Sequence, residues 1–141
     1  MLTNIKNIVN YVIQKYKKAP TQTLKDGTKL WKELIPGTYT RYQLHREDGP
    51  AYIGADGLKS WYIHGELHRT DGPAVIEATG ATAYYQNSKL HRTDGPAIIT
   101  ADGIEEFYVN GKQLTLKQTF NLGYAHAVDT KASIRCEYRY N

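Results

Sequence analysis

Three copies of one polar triplet are the residues in this chain best equipped for chemistry: His45, Arg46 and Asp48; His68, Arg69 and Asp71; His91, Arg92 and Asp94. An imidazole beside a carboxylate is the raw material of general-base catalysis, and a guanidinium can grip a phosphate through paired N–H donors. Each triplet sits in the same text, Leu-His-Arg-x-Asp-Gly-Pro-Ala, beginning at Leu44, Leu67 and Leu90, and 67 − 44 and 90 − 67 both equal 23. An active site rarely needs three equivalent copies. Side chains that recur in every copy are expected to serve the unit itself, with Arg and Asp knitting a turn and His packing beside a strand. A phosphate- or polyanion-binding row of His45, Arg46, His68, Arg69, His91 and Arg92 is the second reading. A hydrolase using the His/Asp pairs is the third. No catalytic residue is assigned, and the chain is expected not to be an enzyme.

Metal and cofactor chemistry find little support. Two strands per repeat at ~4.8 Å each would hold His45, His68 and His91 ~10 Å apart, too far to share an ion at ~2.1 Å bonds. The single cysteine, Cys136, allows neither an intrachain disulfide nor a thiolate-rich site, and reads as a bystander thiol. The chain holds no HExxH, Walker-type or GxSxG motif. No metal ligand and no cofactor is expected.

The elements that must position these residues follow from the fixed period. A step of 23 residues implies one supersecondary unit stacked in an array. Within each copy a first strand follows the proline: Ala51-Tyr52-Ile53, Ala74-Val75-Ile76 and Ala97-Ile98-Ile99. Asp56-Gly57, Thr79-Gly80 and Asp102-Gly103 supply the chemistry of a hairpin turn. The second strand carries an aromatic pair, Trp61-Tyr62, Tyr84-Tyr85 or Phe107-Tyr108, which places one ring on each side of the sheet. His64-Gly65, Asn87-Ser88 and Asn110-Gly111 turn the chain back again. The row Tyr62, Tyr85 and Tyr108 is a candidate binding face, because exposed aromatics on a sheet stack bases or anchor a protein partner.

An imperfect copy comes first. Asp26-Gly27 and Trp31 match Asp56-Gly57 and Trp61, but Trp31 lies 13 residues before Leu44 where Trp61 lies 6 before Leu67. The seven extra residues around Ile35-Pro36-Gly37 must bulge as a loop. Residues 3–18 read as an amphipathic helix, with Leu2, Ile5, Ile8, Val9, Val12, Ile13 and Tyr16 at three- and four-residue spacing. Packing of this helix on one face of the sheet would leave the other face as the interaction surface. Alternation over residues 132–140 reads as a terminal strand able to pair across a homodimer.

The cores His64-Gly-Glu-Leu-His68 and Asn87-Ser-Lys-Leu-His91, with Asn110-Gly111-Lys112, resemble the MORN repeat over about residues 24–113. That resemblance implies a single-layer antiparallel sheet of successive hairpins that serves as a scaffold or partner-binding surface. The departure is Arg-x-Asp-Gly-Pro-Ala after the histidine, where the family has small glycine-rich residues. This variant is similar to LHRxDGPA arrays in bacterial, phage-encoded and giant-virus proteins. It implies a small inhibitor or neutraliser of a host protein or toxin.

Charge adds a second partner class. Residues 1–32 carry seven lysines against Asp26, giving +6, whereas residues 33–141 carry eleven basic and thirteen acidic side chains, giving −2. Nucleic acid could therefore be attracted through Lys15, Lys17 and Lys18 together with the arginine row. No run approaches the ~20 apolar residues of a membrane span, and no secretory core is visible at the N-terminus, so a cytoplasmic location is expected, in the host cytoplasm if the chain is phage-encoded. The expected organisation is a helix over 1–20, a mainly β array over 21–113 (copies 24–43, 44–66, 67–89 and 90–113) and a capping segment over 114–141.

Overall fold

The computed structural model describes residues 21–121 and 123. The helix expected over 3–18 and the strand expected over 132–140 lie outside them. The described chain is mainly β, built of sixteen short strands and one short helix. Strands β1 (Gln22–Thr23), β2 (Lys29–Leu30), β5 (Tyr52–Ile53), β6 (Lys59–Ser60), β9 (Val75–Ile76), β10 (Thr82–Ala83), β13 (Ile98–Ile99) and β14 (Glu105–Glu106) form one eight-stranded antiparallel sheet in that order. The remaining eight form four two-stranded sheets: β3 (Lys32–Leu34) with β4 (Tyr42–Leu44), β7 (Tyr62–Ile63) with β8 (Glu66–Leu67), β11 (Tyr85–Gln86) with β12 (Lys89–Leu90), and β15 (Tyr108–Val109) with β16 (Lys112–Gln113).

Each repeat thus contributes two hairpins rather than one. The segment read from sequence as a single aromatic strand divides at its first ring. At Trp61 the backbone N–H donates to Ala74 O (2.8 Å), on the large-sheet side, while the C=O accepts from His68 N (3.1 Å), on the hairpin side. Trp31 does the same with Ala51 (2.8 Å) and His45 (3.1 Å), and Tyr84 with Ala97 (2.7 Å) and His91 (3.0 Å). One residue hands the chain from one ladder to the other without losing a backbone hydrogen bond.

The small hairpins are stitched into their own row. Gly65 N and Arg46 N donate to Leu44 O and Tyr62 O at 2.8 and 3.0 Å, and Ser88 with Arg69 and Gly111 with Arg92 repeat this pair at the next two junctions. These backbone hydrogen bonds join adjacent copies, as a one-dimensional stack requires.

Two turn types alternate. The first is a three-residue loop: Gly57 N donates to Gly54 O (3.0 Å), Gly54 N donates to Leu58 O (2.8 Å), and Gly57 takes φ of 91°. The Asp-Gly pair therefore closes a type I turn with a bulge, and is not the two-residue turn that Asp-Gly also favours. The second is a two-residue turn with positive φ at both positions: His64 (49°) and Gly65 (80°), Asn87 (49°) and Ser88 (58°), Asn110 (51°) and Gly111 (78°). In the first copy the loop 35–41 replaces this turn, closed by Ile35 N to Arg41 O (2.9 Å), so the seven extra residues do bulge out.

The core is thin. Its buried apolar residues are Trp31, Ala51, Ala74, Ala97 and Phe107, and the three alanines have no exposed surface at all. Helix α1 (Leu116–Asn121) follows Leu114, which packs on Phe107. Thr115 and Gln118 cap its start reciprocally: Thr115 N donates to Gln118 Oε1 (2.9 Å), and Gln118 N to Thr115 Oγ1 (3.4 Å). This helix was not legible in the sequence, because six residues are too few for a periodic signal. No helix among the described residues is long and apolar enough to cross a membrane.

Enclosure of the alanines carries a direct expectation. Ala74→Leu inserts three carbons where the wild-type side chain is fully covered, and should destabilise the fold by about 1–3 kcal/mol. Denaturant unfolding checks it, and an unchanged midpoint would show that the site has room.

Candidate functional site

The loops between β4 and β5, β8 and β9, and β12 and β13 carry the three triplets, and each is closed by its arginine. Arg69 Nε donates to Asp71 Oδ1 (2.8 Å), its Nη1 donates to Pro73 O (3.2 Å), and its Cζ sits 4.1 Å from the Trp61 ring centroid. Arg46 repeats this with Asp48, Pro50 and Trp31, and Arg92 with Asp94, Pro96 and Tyr84. On the face away from the ring lies a glycine. A Cβ added to Gly72 would fall 3.0 Å from Arg69 Cζ, and one added to Gly95 would fall 2.9 Å from Arg92 Cζ. The guanidinium is therefore sandwiched between an aromatic ring and a glycine backbone. Only a planar, delocalised cation can stack and fork its hydrogen bonds in this way.

Arg and Asp thus close the loop on itself, and histidine works elsewhere. His45 Nδ1 accepts from His64 N (3.1 Å), His68 Nδ1 from Asn87 N (3.3 Å), and His91 Nδ1 from Asn110 N (3.1 Å). Each imidazole anchors the turn of the next hairpin, and each aspartate belongs to the arginine.

Charge exposure bears on the anion-binding reading. The Arg46, Arg69 and Arg92 side chains are only 16%, 22% and 22% exposed, whereas Asp71 and Asp94 are 80% exposed. The row shows its carboxylates to solvent and keeps its guanidiniums inside. The hydrogen bond and charge of Arg69 hold the Asp71 carboxyl below the ordinary aspartate range, and Arg92 does the same for Asp94. Lys15, Lys17 and Lys18 lie outside the described residues.

Tyr62, Tyr85 and Tyr108 are all half-buried. Burial, then the neighbouring Tyr52 and Tyr85, pushes the Tyr62 hydroxyl up from its usual value. The Tyr108 hydroxyl donates to Glu106 Oε2 (2.9 Å), a bond that raises it as well.

Between successive loops the surface opens into clefts. One, of about 450 Å3, lies between the loops of Arg46 and Arg69, over Trp61, Ile63 and His68. The next, of about 310 Å3, lies between the loops of Arg69 and Arg92, over Tyr84, Gln86 and His91. Equivalent positions line both, and Thr70 borders each. These clefts were invisible in the sequence, because they lie between copies rather than within one.

The first junction differs from the others. Glu33 on β3 receives hydrogen bonds from Gln43 Nε2 (2.7 Å) and His64 Nδ1 (2.6 Å), and its other oxygen lies 3.7 Å from His45 Nδ1. The His45 and His64 rings stack with centroids 4.5 Å apart and planes at 24°. Burial pushes the Glu33 carboxyl up, but the bonds from Gln43 and His64 and the charges of His45 and His64 outweigh it and leave it below its usual value. Neither Glu33 nor His64 was singled out for chemistry from the sequence. The available signal was positional: His64 stands where the later turns have Asn87 and Asn110.

Comparison with protein-family models, with curated proteins and with solved structures finds no match to this chain.

The clamp yields a coupled expectation. Gly95→Ala should destabilise the fold by about 1–3 kcal/mol, because Arg92 must shift to admit the methyl. In an Arg92→Met background the same change should cost measurably less, since the two positions touch. Equal costs in both backgrounds would refute the sandwich. A second expectation concerns pH. Because Asp94 titrates low when folded, its share of stability is present above the ordinary aspartate value and is lost as pH falls through the folded one. NMR titration should show a depressed Asp94 midpoint that returns to the ordinary range in Arg92→Met.

Proposed function

We propose that this chain is a non-enzymatic binding module that engages another protein through the row of clefts between its His-Arg-x-Asp-Gly-Pro loops. The observation that carries the reading is the recurrence of equivalently lined clefts, about 450 and 310 Å3, at consecutive junctions. A rigid row of similar recesses suits an extended partner that offers side chains at a matching repeat, and preorganised loops lower the ordering cost of binding. Internally clamped arginines support a protein partner over a nucleic acid, because the guanidiniums are largely covered while Asp71 and Asp94 face solvent. The likeness of the repeat text to the MORN repeat, and to LHRxDGPA arrays of bacteria and phage, supports the expectation of a single-layer sheet under the loops. It extends the proposal to an inhibitor or neutraliser of a host protein or toxin acting in the cytoplasm.

Thr70 gives a clean test, since it is an exposed loop residue that borders both clefts. Thr70→Trp should fill them with little change in stability, because exposed positions without special contacts usually shift it by under about 0.5 kcal/mol. Affinity capture with the full chain should recover a protein whose binding falls roughly 10-fold or more in this variant, as expected for a blocked interface centre. Retention of the same proteins by Thr70→Trp would sink the cleft reading. Recovery of nucleic acid with a steep salt dependence would replace it with the polyanion reading.

A further inference from the structure

The first junction breaks the repeat at one place and in one chemical direction. Position 33 is equivalent to Ile63, Gln86 and Val109, and position 64 to Asn87 and Asn110, yet the first junction puts a glutamate and a histidine there. With His45 these place two imidazoles and a carboxylate together, and one ligand atom from each lies within 4.8 Å of the other two. Residues shared by all copies serve the unit, but these two do not. Asn87 and Asn110 show that the turn is made without His64, and asparagine suits a φ of about 50° better than most residues.

We infer that Glu33, His45 and His64 form a binding site for a first-row divalent cation, zinc foremost. Two imidazole nitrogens and one carboxylate are a donor set that zinc accepts, and they leave a fourth position open to water or a partner's side chain. Bonds of about 2.0–2.1 Å require neighbouring ligand atoms about 3.3 Å apart, so on binding the 3.7 Å between Glu33 and His45 must shorten and the 2.6 Å between Glu33 and His64 must open. His64 is the ligand free to move, with 68% of its side chain exposed, against 17% for His45 and 27% for Glu33. Gln43 Nε2 holds Glu33 Oε1 from outside (2.7 Å), the kind of partner that orients a ligating carboxylate. Binding exchanges two contacts: the His64 proton moves from Nδ1 to Nε2, and the His64 amide gives up its bond to His45 Nδ1. The site is distinct from the two clefts in which the proposed partner would sit.

The test uses the full chain, stripped with a chelator and titrated with Zn2+ alone by calorimetry, with histidine ring resonances followed by NMR. One ion should bind per chain and shift the His45 and His64 signals. Glu33→Gln and His64→Asn should each weaken binding by at least roughly 10-fold, the loss seen even when only outer partners of a ligand are changed. His64→Asn restores the residue of the other turns, so its fold should persist, and His68→Ala should leave the affinity unchanged. No binding below millimolar Zn2+, or a site indifferent to His64→Asn, would overturn the inference.

Discussion

The guanidinium held between an aromatic ring and a glycine backbone is the contact on which this architecture depends. Between its hairpins the chain runs through loops that take part in no strand ladder, and such loops must satisfy their polar groups in some other way. Arg46, Arg69 and Arg92 each do this with one side chain, bonding the aspartate two residues on and the proline carbonyl four residues on. The rest of the motif follows. Aspartate supplies the acceptor and glycine makes room for the cation. Proline ends the loop where no ladder donor is wanted, and alanine enters a site with no space for more.

A clamp of this kind compensates for a thin core. Among the described residues the short strands bury few large side chains, and Trp31 and Phe107, rings at the strand breaks, are the largest of them. Placing the cation on that ring joins the strand to the loop beside it, so the same residue that passes the chain between ladders also supports the connection to the next repeat. Successive loops thereby repeat the same internal contacts, and the clefts open between them. The same rigidity brings Glu33, His45 and His64 together at the first junction, where three different segments meet.

Much of this was legible in the residues. The step from Leu44 to Leu67 to Leu90 announced the array, Asp56-Gly57 and Asn110-Gly111 announced its turns, and the interval from Trp31 to Leu44 announced the bulged loop. The division of the aromatic strand was not legible. Lys59 to Ile63 reads as one run, and nothing local says that Trp61 donates to one ladder and accepts from another. The histidines were read beside their own aspartates because those lie three positions away. Their contacts are with residues 19 positions on, in the next turn. Likewise His45, His68 and His91 were compared only with one another as ligands, whereas the cluster joins His45 to residues from a loop-bearing copy and from a turn.

The amino-acid order alone determined a repeating, turn-rich, mainly β chain, because periodicity, turn residues and aromatic placement are local properties that each copy states for itself. Which carboxylate neutralises which arginine, where the clefts open and which imidazoles meet were decided only by tertiary structure. Those are relations between successive copies, set by how far one hairpin is displaced from the next, and no single copy contains that distance.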